Sequence, residues 1–452
     1  MVSVSAIRQT IEKTPTGRPR VAIETHGCKL NRADSEEMAR QFADAGFQLV
    51  STNEPADVYV VNTCTVTHVA DRKARRALRS AAVSNPQALV VAAGCYVQRS
   101  AETLKNMAEV GLVVVNKEKA DLVQRVVESV NGALAQRGGG SGASQALGRA
   151  LPSHTRAMVK IQEGCNQVCA YCIVPKVRGR EKSIPPAGIV SQITSRVSEG
   201  YKEVVLTGTQ LGSYGFDVPG YSLELLLRKI LEETEIARVR VSSLQPQEIT
   251  EGLLRLWENP RMCPHFHVPL QSGSASVLTS MRRRYSPQLY EEVVDRVRRV
   301  VSDVSITADV IVGFPGETEE EFEETLALSE RVGFAAVHVF PYSSRPGTSA
   351  AYFQNKVDDF TKSERLNKLL SLTGTQENTF KRSFLGKVRL VLWEEGKFVD
   401  GKFYRFGLTD NYIRVYTDST EFQRNDITLT RLANLDGELV YCSAPQTIHL
   451  GV

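Results

Sequence analysis

The chain reads as an α/β protein in three parts: an N-terminal parallel α/β sheet domain, a central partial (β/α)6 barrel and a C-terminal small all-β barrel. Three observations predict this. Short apolar, β-branched-rich runs alternate with helical patterns through two successive stretches, as parallel sheets with crossover helices require. A Gly/Ser-rich segment at 136–154 separates those stretches and reads as a flexible linker. Beyond residue 382 only strand patterns remain.

In the first stretch, strands are expected at 21–28, 58–64 and 89–95, each ending in a cysteine, with helices at 34–45 and 69–82. Residues 1–20 lack the apolar core of a signal peptide and read as a disordered lead-in, so the first domain runs over 21–135. The second domain, 155–381, carries strand patterns at 158–162, 203–207, 239–243, 265–270, 306–313 and 336–341. Helices at 223–233, 287–302 and 319–332 lie between them, and 358–382 is a closing helix. Six βα units make an open or partial barrel rather than an eightfold one. Strands at 387–393, 397–409, 412–416 and 427–441 build the third domain, 382–452.

A length of 452 residues exceeds what one core serves. Apolar content of 42% and charged content of 23% are ordinary for a soluble globular protein. The net charge, 55 − 51 = +4, is too small to mark a polyanion binder, so any basic patch is local. No apolar run reaches the ~18 residues a membrane span needs. The expected compartment is the cytosol, where the eight cysteines stay reduced and available to metal.

The densest chemical signal is Cys165, Cys169 and Cys172, spaced C-x3-C-x2-C, with Tyr171 just before the last. A closed structural zinc site takes four protein ligands. Three thiolates on one short loop suit a [4Fe–4S] cluster with one iron open to a small molecule. A zinc knuckle with a distant fourth ligand, or unlinked core thiols, are the other readings. Cys28, Cys64 and Cys95 each close an apolar strand at its carboxyl end, where open α/β sheets build their sites. They would hold a second cluster, or they are buried structural cysteines, and position alone suits both. No Ser-His-Asp order, HExxH or P-loop motif is present.

The C-x3-C-x2-C loop with its aromatic resembles the radical S-adenosylmethionine (SAM) enzymes. The whole set of motifs resembles one family among them, the radical-SAM methylthiotransferases. It is carried by Thr25 to Asn31 (THGCKLN), Asn62 to Thr67 (NTCTVT), Gly94 to Gln98 (GCYVQ) and Glu163 to Asn166 (EGCN) with Cys169 and Cys172. His267 to Gly273 (HVPLQSG), Asp309 to Glu317 (DVIVGFPGE) and Phe340 to Thr348 (FPYSSRPGT) complete it. The first two motifs are most similar to the branch acting on tRNA N6-threonylcarbamoyladenosine, ahead of the isopentenyladenosine and ribosomal-protein branches.

The resemblance implies two [4Fe–4S] clusters, one on Cys28, Cys64 and Cys95 and one, binding SAM, on Cys165, Cys169 and Cys172. It implies methylthiolation of adenine C2, 3′ of the anticodon, with two SAM consumed and a reductant protein as electron donor. SAM contacts are expected from Tyr171, from Thr207, Gly208 and Gln210 at one strand end, and from Gln271, Ser272 and Gly313 at others. A plain strand-to-helix turn is the alternative for the first of these strand ends; Val310 to Gly313 are candidates to lie against the adenine, with a core strand as the alternative for Val310 and Ile311. Arg178 and Arg180 are candidates for the SAM carboxylate or RNA phosphate, with solvated loop charges as the alternative.

For tRNA, Arg72, Arg75, Arg76 and Arg79 form a basic stripe at helical spacing, and Arg282, Arg283, Arg284 and Tyr285 form a second candidate. Either stripe is equally a solvated face. The last domain resembles the TRAM domain, an OB-like RNA-binding barrel. Its Phe403, Tyr404, Arg405, Phe406 and Tyr412 are candidate base-stacking residues, or barrel core. Cys263 and Cys442 read as packing residues, His26 as a turn residue, and His267 and His338 as satisfied core histidines. The rival from another class is a non-catalytic, metal-stabilised RNA-binding protein.

Overall fold

The structure, a computed structural model, describes residues 18–134 and 155–443. The expected lead-in lies outside the described residues apart from 18–20, and the expected linker lies wholly outside them. The described chain forms two compact units. The first holds 18–134 with Glu163–Gln167 and Cys172–Glu181, and the second holds 155–162, Val168–Tyr171 and 182–443. No helix among the described residues is long and apolar enough to cross a membrane.

The first unit is built on a five-stranded sheet of β1 (Arg20–Thr25), β2 (Gln48–Val50), β3 (Val58–Thr63), β4 (Leu89–Gly94) and β5 (Leu112–Val114). All pairs are parallel and the spatial order is β2-β1-β3-β4-β5. The chain therefore winds outward in both directions from the β1/β3 seam, the switch point where such sheets open a crevice. Period-2 alternation splits the strand side chains between two cores. Val58, Val60, Leu89 and Val91 pack with Met38 and Phe42 of α1 (Lys29–Asp44) and Val126 of α4 (Leu122–Leu134). Tyr59, Val61, Val90 and Ala92 pack with Leu78 of α2 (His68–Ser84) and Val97 of α3 (Cys95–Lys105). Thr67 caps α2 by accepting from the Ala70 amide at 3.1 Å.

The expected strands overrun by up to three residues: each cysteine follows its strand instead of ending it. The short edge strands β2 and β5, and the helices α3 and α4, were not among the expected elements. Three-residue edge strands leave too little period to read.

In the second unit six parallel strands succeed one another in chain order. They are β6 (Arg156–Lys160), β7 (Glu203–Thr207), β8 (Arg238–Val241), β9 (His265–His267), β10 (Ser305–Val312) and β11 (Ala336–Pro341). The two three-stranded halves join through the parallel bridge Ser243–His267. This is the expected partial barrel. Helices α5 (Pro186–Ser198), α6 (Leu223–Glu233), α7 (Pro287–Val300) and α8 (Glu319–Val332) cover it, α8 opening on a capping box of Thr318 and Glu321.

After α9 (Asp359–Arg382) comes a closed barrel of β12 (Val388–Val399), β13 (Lys402–Thr409), β14 (Arg414–Thr417), β15 (Ile427–Asp436) and β16 (Leu439–Cys442), ordered β12-β13-β14-β16-β15. Trp393 fills it, stacked on Phe422 at 4.4 Å. The expected break after 393 is instead a bulge inside β12, and the expected strand 427–441 turns at Gly437 into two. The barrel is fastened to β7 and β8 by buried charge. Glu203 pairs with Arg238 and Arg240, both at 2.8 Å, and those arginines donate onward to the Thr409 carbonyl. Tyr412, held at φ +74°, stacks on His265 at 4.1 Å. Its ring is used in docking the barrel, on the packing side of the two readings open for it.

Candidate cluster sites

The register sets the first site. Thr25 pairs with Asn62, Asn62 with Ala93 and Thr63 with Gly94, so the carboxyl ends of β1, β3 and β4 lie level. Cys28 then stands at the N-cap of α1, Cys64 follows β3 and Cys95 opens α3. Glycine permits the close approach. Gly27 adopts φ +98°, and a Cβ there would stand 2.8 Å from Cys64 Sγ. Asn31 laces the turn, its amide donating to His26 O at 2.7 Å and Thr63 O at 2.9 Å, while the Asn62 amide returns to Asn31 O at 2.8 Å.

Burial first, and then the nearby Cys28 and Cys95, raise the Cys64 thiol to about 11 against the lowering effect of backbone N–H groups at Val66 and Thr65. A fixed cation faces them. Arg178, its side chain 2% exposed, pairs with Asp34 at 3.2 Å and Glu163 at 2.5 Å and also donates to Asn31. Burial opposes its charge, yet Cys95, Asp34, Cys28 and Glu163 together hold it protonated. Lys119 adds a second buried cation on Asp34, at 2.9 Å. Asn116 lies 3.8 Å from Cys95 Sγ and donates to Val177 O at 2.6 Å.

Among the described residues no three His, Cys, Asp or Glu side chains converge tightly enough to hold a single ion. A cluster makes a different demand, since each thiolate takes its own iron and the sulfurs stand apart. Three soft donors at level strand ends, with a matched cation beside them, fit that group.

The C-x3-C-x2-C loop divides between the units. In the first, Cys165 is buried, its amide donates to Gly179 O at 3.1 Å, and the Gln167 amide donates to its Sγ at 3.4 Å. In the second, Arg283 donates to Cys169 Sγ at 3.3 Å. Tyr171 packs edge-on to Phe314, centroids 6.5 Å apart, beside Ile311.

At the strand end after β7, Gln162 Oε1 accepts the amides of Thr209 and Gln210, each at 2.9 Å, and shapes the turn. Thr207 is buried, and the Gln210 side chain accepts from Gln245 at 2.6 Å and donates to Glu248. Gln271 sits at φ +65°, a conformation that costs a residue with a side chain about 1–3 kcal/mol. Ser272 is fully buried against Thr325, at 3.2 Å, which turns it into an interior packing residue rather than the expected SAM contact. Gly313, at φ +70°, donates its amide to Glu317 at 2.6 Å. Val310 and Val312 are core.

Arg178 is corrected from ligand-facing to an internal ion-pair partner, whereas Arg180 is exposed. On α2, Arg72, Arg76 and Arg79 are exposed; Arg75 instead donates to Tyr96 Oη at 2.8 Å, so the stripe loses a member. Arg282 and Arg284 are exposed but Arg283 is not. Phe403 packs on Phe398, Phe406 lies near Tyr416, and Arg405 donates to Glu394 O at 3.1 Å. His26 lies 2.9 Å from Glu24. His267 is the satisfied core histidine expected, bound to Thr307 and Asp309; His338 is 68% exposed, contrary to expectation, and reaches Asp309 at 3.3 Å. Cys263 and Cys442 are buried. Sequence reading missed Asp34, Lys119, Gln162, Gln245 and Glu248, since lone polar residues far apart in the chain give no local signal.

The Uncharacterized protein family UPF0004 matches residues 20–115 and the Radical SAM superfamily matches residues 159–329. A threonylcarbamoyladenosine tRNA methylthiotransferase, MtaB of Bacillus subtilis (strain 168), is 35% identical over 413 residues, covering 89% of this chain and 91% of the relative. The MtaB of Aquifex aeolicus (strain VF5) is 38% identical over 403 residues, covering 88% and 96%. Among solved structures, the radical S-adenosylmethionine methyltransferase TsrM of Kitasatospora setae matches with a TM-score of 0.52 at 14% identity, over 74% of this chain and 75% of that one, a likeness of fold. With this identity over nearly the whole length of both proteins, the chain belongs to the threonylcarbamoyladenosine tRNA methylthiotransferases of the radical SAM superfamily.

Proposed function

We propose that this protein methylthiolates C2 of N6-threonylcarbamoyladenosine in tRNA, with Cys165, Cys169 and Cys172 holding a SAM-binding [4Fe–4S] cluster and Cys28, Cys64 and Cys95 a second one. The observation that carries the second cluster is the level register of β1, β3 and β4, which puts Cys28, Cys64 and Cys95 just beyond adjoining strand ends. When bound, the clusters and SAM would supply the radical that opens an unactivated C–H bond and the sulfur and methyl group that take the place of its hydrogen. The chain's own residues bind, orient and shield. Arg178 and Lys119 set positive charge around the first thiol trio, and the Gln167 amide and Arg283 guanidinium donate to sulfurs of the second. Gln162 fixes the 208–210 turn at the strand end assigned to the SAM methionine moiety.

The tRNA would be met by the exposed Arg72, Arg76 and Arg79, by Arg282 and Arg284, and by the aromatic surface around Phe403, Arg405 and Phe406. A cytosolic reductant protein would deliver the electron. Nucleoside mass spectrometry of tRNA from cells lacking the protein tests the substrate: loss of the methylthio form of threonylcarbamoyladenosine is expected. An unchanged tRNA profile refutes it, and loss of methylthio-isopentenyladenosine instead reassigns the branch. Anaerobic protein should carry about eight irons per chain; iron-free protein with intact tRNA affinity would make it a pure binder.

A further inference from the structure

The run Arg282-Arg283-Arg284 has the composition of an RNA-facing patch, yet its middle member turns inward. Its neighbours explain the direction. Arg282 takes φ +57°, and Tyr285 is buried with its hydroxyl on the carbonyls of Pro269 at 2.8 Å and Leu270 at 2.9 Å. This reversal aims the Arg283 side chain at the cysteine loop. All three parts of its fork are used: Nη1 donates to Cys169 Sγ at 3.3 Å, Nη2 to Gln245 Oε1 at 3.1 Å and Nε to Tyr285 Oη at 3.2 Å. The guanidinium also lies 4.9 Å from the Tyr285 ring centroid. Gln245 continues the line to Gln210, at 2.6 Å, and Gln210 reaches Glu248.

A planar, always-charged group clamped at three points cannot rotate away from the sulfur. Among the described residues no carboxylate forms an ion pair with it, and the counter-charge it is placed to take is the Cys169 thiolate. We propose that Arg283 is a positioning residue for the reactive centre: it donates a hydrogen bond to the Cys169 sulfur, raises the reduction potential of the cluster bound there, and ties that sulfur through Gln245 to the Gln210 strand end. The inference rests on the assignment of a cluster to Cys165, Cys169 and Cys172. A donor on a ligating sulfur withdraws negative charge from it, which favours the reduced, more negative cluster.

The test uses full-length protein in which Cys28→Ala, Cys64→Ala and Cys95→Ala leave a single cluster to report. The midpoint potential is read by anaerobic redox titration with electron paramagnetic resonance. Arg283→Met should leave about tenfold less reduced cluster at a fixed potential, equivalent to a fall of about 59 mV for a one-electron couple. Arg283→Lys, which keeps the charge and loses the fork, should give part of that fall. It also decides the matter should Arg283→Met bind no iron. Gln245→Leu, which spares the donor to sulfur, should change the midpoint by much less than Arg283→Met. Midpoints of both Arg283 variants equal to the parent overturn the proposal while leaving the cluster assignment standing. An iron-free parent overturns both.

Discussion

Replacing Gly27 by alanine attacks the seam where the ends of β1 and β3 meet. The new Cβ would stand 2.6 Å from Cys64 Cβ and 2.8 Å from Cys64 Sγ, closer than non-bonded carbons and sulfurs tolerate. Relief requires the cysteine or the strand end to move, at about 1–3 kcal/mol. The backbone adds to this, because φ is +98° at Gly27, and holding an L-residue there costs about 1–3 kcal/mol. The sum is about 2–6 kcal/mol, concentrated on one thiol of the trio. Gly46 separates the two effects: its φ is +87°, but a Cβ there meets nothing within 4 Å, so Gly46→Ala carries the backbone cost alone. The assay is iron and sulfide content after anaerobic reconstitution, with a thermal melt. Gly27→Ala should keep about four irons per chain where Gly46→Ala keeps about eight, and should melt lower. A Gly27→Ala protein with the same iron content and melting temperature as Gly46→Ala would refute the reasoning that this glycine sets the distance between the strand ends.

Further outcomes follow from the same geometry. Cys165→Ala should abolish SAM cleavage, while Cys64→Ala should spare cleavage and stop methylthio transfer; identical behaviour would break the proposed division of labour. Arg178→Met leaves buried Asp34 to Lys119 alone and should cost about 1–3 kcal/mol with loss of iron from the first trio. The exposed Arg180→Met should leave iron content unchanged. Glu203→Gln should destabilise the second unit by about 3–5 kcal/mol in denaturant titration, since Arg238 and Arg240 lose their buried counter-charge. Burial would raise the Glu203 carboxyl, but Arg238, Arg240 and Arg156 outweigh it and bring it to about 2. This contribution is therefore complete above the ordinary value of 4.5 and is lost as pH falls towards 2, so the wild-type advantage over Glu203→Gln should shrink in acid.

Much of this protein was fixed by local sequence. Parallel strands buried on both faces, such as β3 and β4, are continuous apolar runs, and α8 announces itself with a capping box. The two cysteine sets were equally visible, because thiolate spacing and strand-end position are properties of short segments. Tertiary structure decided what those segments face. Arg178 and Arg283 are indistinguishable in sequence from Arg180 and Arg284, yet one of each pair turns inward to a sulfur site and the other meets solvent. Tyr412 is one aromatic among several in a small barrel, and only docking on His265 distinguishes it. Asp34 and Lys119, 85 residues apart, become partners only when the sheet closes. The physical reason is common to all of them: a residue's type sets what it can bond, but the direction of a side chain and the identity of its neighbours come from packing between distant segments, which no local period encodes.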